Sequence, residues 1–155
     1  MNVTVCSRAD LEQMLAQGLP QNVAVISFSD PVTEKTSEEG MPLDFTGKCS
    51  RVFQIQIHDI DIEILGDFEL TYETYFPEAQ NLAEFIYRAK MDKQDIICQC
   101  EYGQSRSAGC AAAILEHFTH NGISIFADYR YYPNQMVYHK VFDALENYQE
   151  THHCF

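Results

Sequence analysis

One short segment concentrates the reactive side chains of this sequence: Cys100-Glu101-Tyr102-Gly103-Gln104-Ser105-Arg106-Ser107. It joins the apolar stretch Asp95 to Cys100, which reads as a strand, to an alanine-rich stretch that reads as a helix ending near Gly122. The end of a strand feeding the start of a helix is where open α/β sheets bind anions. Successive backbone N–H groups in such a loop can form a nest for a tetrahedral anion, and Gly103 permits a backbone conformation that a side chain would hinder. Arg106 supplies a planar, bidentate donor for two oxygens. A thiol at Cys100 lies against the positive end of the helix and beside a guanidinium, which lowers its pKa and makes thiolate accessible near neutral pH. Cys100 is therefore a candidate nucleophile. Glu101, Tyr102, Gly103, Gln104, Ser105 and Arg106 form the candidate phosphate-binding loop.

The elements that must position this loop alternate along the chain. Asn2 to Cys6 reads as a strand, and Ser7 with Asp10 as a capping box opening a helix with Leu11, Met14 and Leu15 on one face, closed by Gly18 and Pro20. Val23 to Phe28 is an apolar, β-branched run, the pattern of a strand covered on both faces. A polar loop from Ser29 to Gly40, containing Asp30-Pro31, leads to a third strand over Arg51 to Asp59. From Thr74 the spacing predicts a helix with Pro77 in its first turn and Ala79, Leu82, Phe85, Ile86 and Ala89 on its buried face. A last helix follows Pro133, with Val137, Val141, Leu145 and Tyr148 toward the core. The expected architecture is α/β: one domain over residues 1–155, with a mostly parallel central sheet flanked by helices.

Composition narrows the function classes. The 155 residues are 46% hydrophobic and 21% charged, ordinary for one globular domain that needs neither disulfides nor structural metal to fold. Ten Lys and Arg stand against 23 Asp and Glu, a formal charge of -13, so nucleic acid and acidic membrane surfaces are not expected partners. No apolar run approaches the roughly 18 residues a spanning helix needs, and Met1 to Asp10 lacks the layout of a signal peptide, which makes the cytoplasm the expected location. The six cysteines are then expected as thiols.

A Cys, five residues, an Arg and then a Ser is the signature of the protein tyrosine phosphatase superfamily, and the segment from Cys100 to Ser107 resembles its phosphate-binding loop. The resemblance extends more loosely from Ser7 to Tyr148 and includes Tyr131-Tyr132-Pro133-Asn134 before the terminal helix. It is nearest to small bacterial or phage phosphatases of dual-specificity type. The low-molecular-weight class carries its Cys loop near the N-terminus, whereas here the loop lies two-thirds along the chain.

The resemblance implies the corresponding fold and a two-step hydrolysis of phosphate monoesters on a phosphorylated protein or peptide, with no cofactor and no metal. Cys100 attacks phosphorus, Arg106 and the loop N–H groups stabilise the equatorial oxygens, and an Asp protonates the departing phenolate. Ser107 donates to the sulfur and eases its departure from a cysteinyl phosphate. Family members place the acid just past the end of a strand, which makes Asp59 the first choice and Asp61 the second. Asp67 stands at a more usual separation from Cys100, but loop insertions are cheap.

Other features invite second readings. The residue before the nucleophile is usually His in this superfamily and is Gln99 here, which donates a hydrogen bond but carries no charge. The loop contains no Lys, which argues against inositol phosphates and favours phosphotyrosine. Cys98 and Cys110 could form a reversible disulfide with Cys100, although small buried thiols are common core residues. His152-His153-Cys154 matches no zinc spacing and reads as a solvated tail, and Tyr129, Tyr131, Tyr132 and Tyr138 read as core aromatics more than substrate contacts. The rival functions are a noncatalytic phosphoprotein-binding module and a sulfurtransferase or arsenate-reducing thiol enzyme.

Overall fold

The computed structural model describes residues 1–32 and 41–152. Strand β1 (Val3–Cys6) passes through Ser7 into helix α1 (Arg8–Gln17), where Ser7 Oγ accepts from the Asp10 N–H at 3.1 Å and satisfies one of the orphan donors of the first turn. β2 (Val23–Ser29) is buried along its whole length, as its apolar run requires, and β3 (Val52–Gln56) lies beside it. α2 (Ala79–Met91) precedes β4 (Asp95–Gln99), and β4 feeds α3 (Arg106–Thr119). A short α4 (Ile123–Phe126) and the long α5 (Gln135–His152) follow. Among the described residues the sheet order is β1-β4-β2-β3, and every pairing is parallel.

A parallel sheet needs both faces covered, and side-chain alternation sorts the two. Val23, Val25 and Ile97 pack with Leu11 and Leu15 of α1 and with Leu43 and Phe45. Ala24, Ile26, Phe28, Ile96 and Cys98 face the larger core built with α2, α3 and α5. Residues Ala108 to Ile114 of α3 are all buried, and their small side chains let this helix run between the sheet and α5. A Cβ at Gly109 would stand 2.5 Å from the Asn134 carbonyl oxygen, so the start of α5 rides directly on the first turns of α3. Tyr87, His117 and Glu146 hydrogen-bond in series and tie α2, α3 and α5 together. No helix among the described residues is long and apolar enough to cross a membrane.

Near the site, two boundaries and one added element differ from the sequence expectation. The third strand ends at Gln56, not Asp59, so Asp59 sits in irregular chain beyond the sheet. The helix expected from Thr74 begins at Ala79, because Thr71 and Thr74 close a tight turn of reciprocal hydrogen bonds and Phe76 adopts a left-handed φ of 57° that interrupts any helix. A 3-10 helix over Ile62–Phe68 occupies the loop between them, without the long apolar periodicity that would announce it.

Candidate active site

Three carbonyls of the loop from Glu101 to Ser105 turn outward to partners elsewhere in the chain. Glu101 O accepts from Arg8 N, Gln104 O from Tyr132 N at 2.8 Å, and Ser105 O from both Gly109 N and Asn134 N. A trans peptide points its C=O and the next N–H in opposite directions, so the N–H groups of Tyr102, Ser105 and Arg106 face the interior of the loop. Gly103 completes the turn at a φ of 67°, where a Cβ would stand 2.7 Å from backbone atoms of Cys6 and Ser7. Both the left-handed conformation and the close approach to the β1–α1 junction call for glycine there.

Cys100 sits at the floor of this loop, buried, with its Sγ 3.0 Å from Ser107 Oγ. Burial pushes its thiol up, but the hydrogen bonds of the Ser107 hydroxyl and of the Ser107 and Ser105 N–H groups, with Arg106 nearby, together bring it below its ordinary value. Cys6 and Cys98 go the other way. Burial pushes Cys6 up to about 12, and a hydrogen bond with Cys110 together with burial raises Cys98 well above the ordinary range. Gln99 is buried and spends its polar atoms structurally: its amide donates to the Cys100 carbonyl at 3.0 Å and its oxygen accepts from Ser27 Oγ.

Arg106 opens α3 and is itself only 5% exposed. Its Nη1 donates to the Ile57 carbonyl at 2.8 Å and to Asp30 Oδ1 at 2.9 Å, whereas its Nε is buried without a hydrogen-bond partner. A guanidinium held this way keeps its Nε and Nη2 edge for an anion in the loop, since a buried donor left unpaired is costly and a phosphate oxygen would pair it.

Asp59 is the carboxylate that meets the loop. Its Oδ1 accepts from Ser105 Oγ at 2.6 Å and from Asn134 Nδ2 at 2.8 Å. Asp61 is exposed and shares a cavity with Asp59 and Ser105, while Asp67 lies exposed on the 3-10 helix. Asn134, named in the sequence only as part of the segment before the last helix, is a direct partner of Asp59. It is 4% exposed, caps α5 by accepting from Val137 N, and donates to both Asp59 and the Ile60 carbonyl. The available signal was its place after Pro133, where a capping Asn is expected. Tyr75 also acts on this loop: its buried hydroxyl donates to the His58 carbonyl at 2.7 Å, and burial, then Asp59, hold the phenol protonated by pushing its pKa up.

The opening beside Ser105 is a cavity of about 530 Å³, walled by Asp59, Ile60, Asp61, Ile64, Tyr131 and Tyr132 among others. This corrects the expectation of core aromatics: Tyr132 is 74% exposed and Tyr129 is 90% exposed, since the segment before α5 runs over the surface to reach the loop, with Tyr132 N bonded to Gln104 O. Tyr138 does pack inward, on Phe126 and Phe142. Of the C-terminal cluster, His152 stacks on Tyr148 at the end of α5, and His153 and Cys154 lie outside the described residues.

No family model and no curated protein sequence matches this chain. Solved structures do. DUSP15 superposes with a TM-score of 0.57 at 12% identity, covering 99% of this chain and 92% of its own. The Cydia pomonella PTP-2 phosphatase superposes at 0.56 with 11% identity, covering 92% and 85%, and PTPMT1 in complex with PI(5)P at 0.51 with 13%, covering 97% and 94%. The fold is that of the protein tyrosine and dual-specificity phosphatases. In this phosphatase fold the strand, loop and helix built from β4, Glu101 to Ser105 and α3 stand at the centre of the domain. The neighbouring chains are similar over nearly their full length, so the elements that position the loop here are those of the fold as a whole.

Proposed function

We propose that this chain hydrolyses phosphate monoesters on protein, phosphotyrosine foremost, through a cysteinyl-phosphate intermediate. The observation that carries this reading is the convergence of three groups on one loop: a thiol lowered by its hydrogen bonds, a buried guanidinium with an unpaired Nε, and a carboxylate held on Ser105. Cys100 thiolate attacks phosphorus, forming the S–P bond as the P–O bond to the phenol breaks. Inward N–H groups and Arg106 take up the charge on the equatorial oxygens, and Asp59 passes its proton to the departing phenolate. Asp59, now a carboxylate, accepts a proton from water as that water attacks phosphorus. The S–P bond breaks, and the Ser107 hydroxyl stabilises the leaving thiolate.

The surroundings favour an aromatic monoester. Ile60, Ile64, Tyr131, Tyr132 and Pro133 offer apolar surface beside the loop for the ring of phosphotyrosine. A multiply charged inositol headgroup would instead meet Glu101 and Asp61 with no Lys in the loop, so the phosphoinositide bound to PTPMT1 is not the ligand assigned to this chain.

The test is hydrolysis of para-nitrophenyl phosphate by reduced, metal-free protein across pH, beside Cys100→Ser. The expected result is turnover that vanishes in the variant while phosphate or vanadate still binds. Binding without turnover in the unmodified chain would identify a phosphoprotein-binding module instead. Persulfide formation with thiosulfate, or arsenate-dependent thiol consumption, would identify the other thiol chemistries.

A further inference from the structure

We propose that Asp30 is a positioning residue for Arg106, fixing which edge of the guanidinium faces the anion; only the rate arm of its test rests on the phosphatase reading. The argument is one of donor count. A guanidinium has five N–H donors in a plane: one on Nε and two on each Nη. The two on Nη1 are consumed by the Ile57 carbonyl at 2.8 Å and by Asp30 Oδ1 at 2.9 Å. The remaining three lie on Nε, which is buried and unpaired, and on Nη2. Nε–H and one Nη2–H are parallel, and that pair is the edge able to grip two oxygens of a tetrahedral anion.

The bracket comes from two neighbouring strands. Asp30 follows the last residue of β2, and Ile57 follows the last residue of β3; the strands pair in register, and Ile57 N bonds to Ser29 O at 3.0 Å. Pro31 disfavours helical backbone at Asp30, which restricts the directions in which its side chain can leave the strand end. With Asp30 removed, Nη1 would keep a single neutral acceptor, and the guanidinium could turn about that one bond. Solvent reaches the Asp30 half of the pair, whose side chain is 54% exposed, but not the Arg106 half, at 6%, so Asp30→Ala also removes charge compensation from a buried guanidinium, and stability is read beside binding. Asp30 does not compete with phosphate, since it takes Nη1 and leaves the Nε edge untouched.

The experiment compares the full chain with Asp30→Ala and Asp30→Asn. Vanadate binding is read by titration calorimetry, kcat and KM on para-nitrophenyl phosphate, the pH profile of Cys100 alkylation, and Tm. Asp30→Ala is expected to weaken vanadate binding and to lower kcat/KM by about ten- to a hundredfold, the scale of a small misplacement of a positioned group. Asp30→Asn, whose Oδ1 still accepts from Nη1, recovers most of both, with a Tm and an alkylation profile close to those of the unmodified chain. Vanadate binding by Asp30→Ala as tight as or tighter than that of the unmodified chain overturns the proposal. A chain that binds vanadate but turns over no ester removes the phosphatase reading, and the binding arm then decides the role of Asp30 alone.

Discussion

Ser105 Oγ donates to Asp59 Oδ1 at 2.6 Å, so the loop that faces the anion and the carboxylate beyond β3 are joined by a direct hydrogen bond. Residues 46 apart in sequence meet because β3 and β4 end on the same edge of a parallel sheet, with β2 between them. The bond occupies one oxygen of a carboxylate that also lines the cavity beside the loop.

The first prediction concerns that carboxylate. General acid catalysis matters most when the leaving group is a poor one. Asp59→Ala should lower kcat on a phosphotyrosyl peptide by about a hundredfold or more, and on para-nitrophenyl phosphate by clearly less. Asp61→Ala should change both only slightly, since Asp61 borders the cavity without a hydrogen bond to the loop. Equal losses on the two substrates for Asp59→Ala would move the acid to another residue.

Asn134 allows capping to be separated from positioning. Its oxygen caps α5 through Val137 N, while its amide nitrogen holds Asp59 and the Ile60 carbonyl. Asn134→Asp keeps the cap acceptor and loses the donor, so its kcat should fall, and the two carboxylates now facing each other in a buried place should cost stability as well. Asn134→Ala loses both functions and should cost about 1 kcal/mol of stability for the cap in addition. Urea denaturation and steady-state rates on the two variants read the difference. An Asn134→Asp protein with unchanged kcat would show that Asp59 does not depend on this contact.

How much of this was legible beforehand follows from the range of each interaction. The loop could be read because Cys100, Gly103, Arg106 and Ser107 lie within one turn and its helix, where local rules of dipole, glycine geometry and donor type apply. Ser7 as a cap and the doubly covered β2 were equally local. Asn134 and Asp30 were not legible, because their partners Asp59 and Arg106 are brought to them only by the sheet order and by the close seating of α5 on Gly109. The start of α2 failed for a different reason. Residues Thr74 to Pro77 carry good helix-start chemistry, but Thr71 takes Thr74 into its own turn and Phe76 is buried at a left-handed φ, a tertiary demand that overrides local preference.

Ser107 governs the titration of Cys100 in a direction that can be worked out. Burial acts to raise the thiol pKa, and the Ser107 hydroxyl opposes it as the foremost of the hydrogen bonds that bring the net shift below the ordinary value. Ser107→Ala removes that donor, so the pKa must rise and the thiolate fraction must fall at any pH below it. Iodoacetamide reacts with the thiolate, so its rate profile should move to higher pH, slower on the acid side and unchanged on the alkaline plateau. The hydroxyl also eases departure of sulfur from the phosphoenzyme, and slower dephosphorylation should make the covalent intermediate accumulate in rapid-quench experiments. A profile that does not move would mean the backbone N–H groups of Ser105 and Ser107 suffice to hold the thiolate.

Gly109 tests whether the seating of α5 on α3 sets the site. In an ordinary helix interior, replacing Gly by Ala stabilises by roughly 0.5–1 kcal/mol through reduced backbone entropy. Here the added Cβ would meet the Asn134 carbonyl oxygen at 2.5 Å and the Asn134 and Tyr138 N atoms at 3.3 Å. These are backbone atoms of the segment that holds Asp59 and begins α5, so no side chain can swing aside. Overpacking of this kind costs about 1–3 kcal/mol, which exceeds the propensity gain and reverses its sign. Gly109→Ala should therefore lower the urea midpoint and, because Asn134 is displaced with its hydrogen bond to Asp59, lower kcat on phosphotyrosyl peptide more than on para-nitrophenyl phosphate. A variant of raised stability and full activity would show that α5 can lift away from α3 without disturbing the acid.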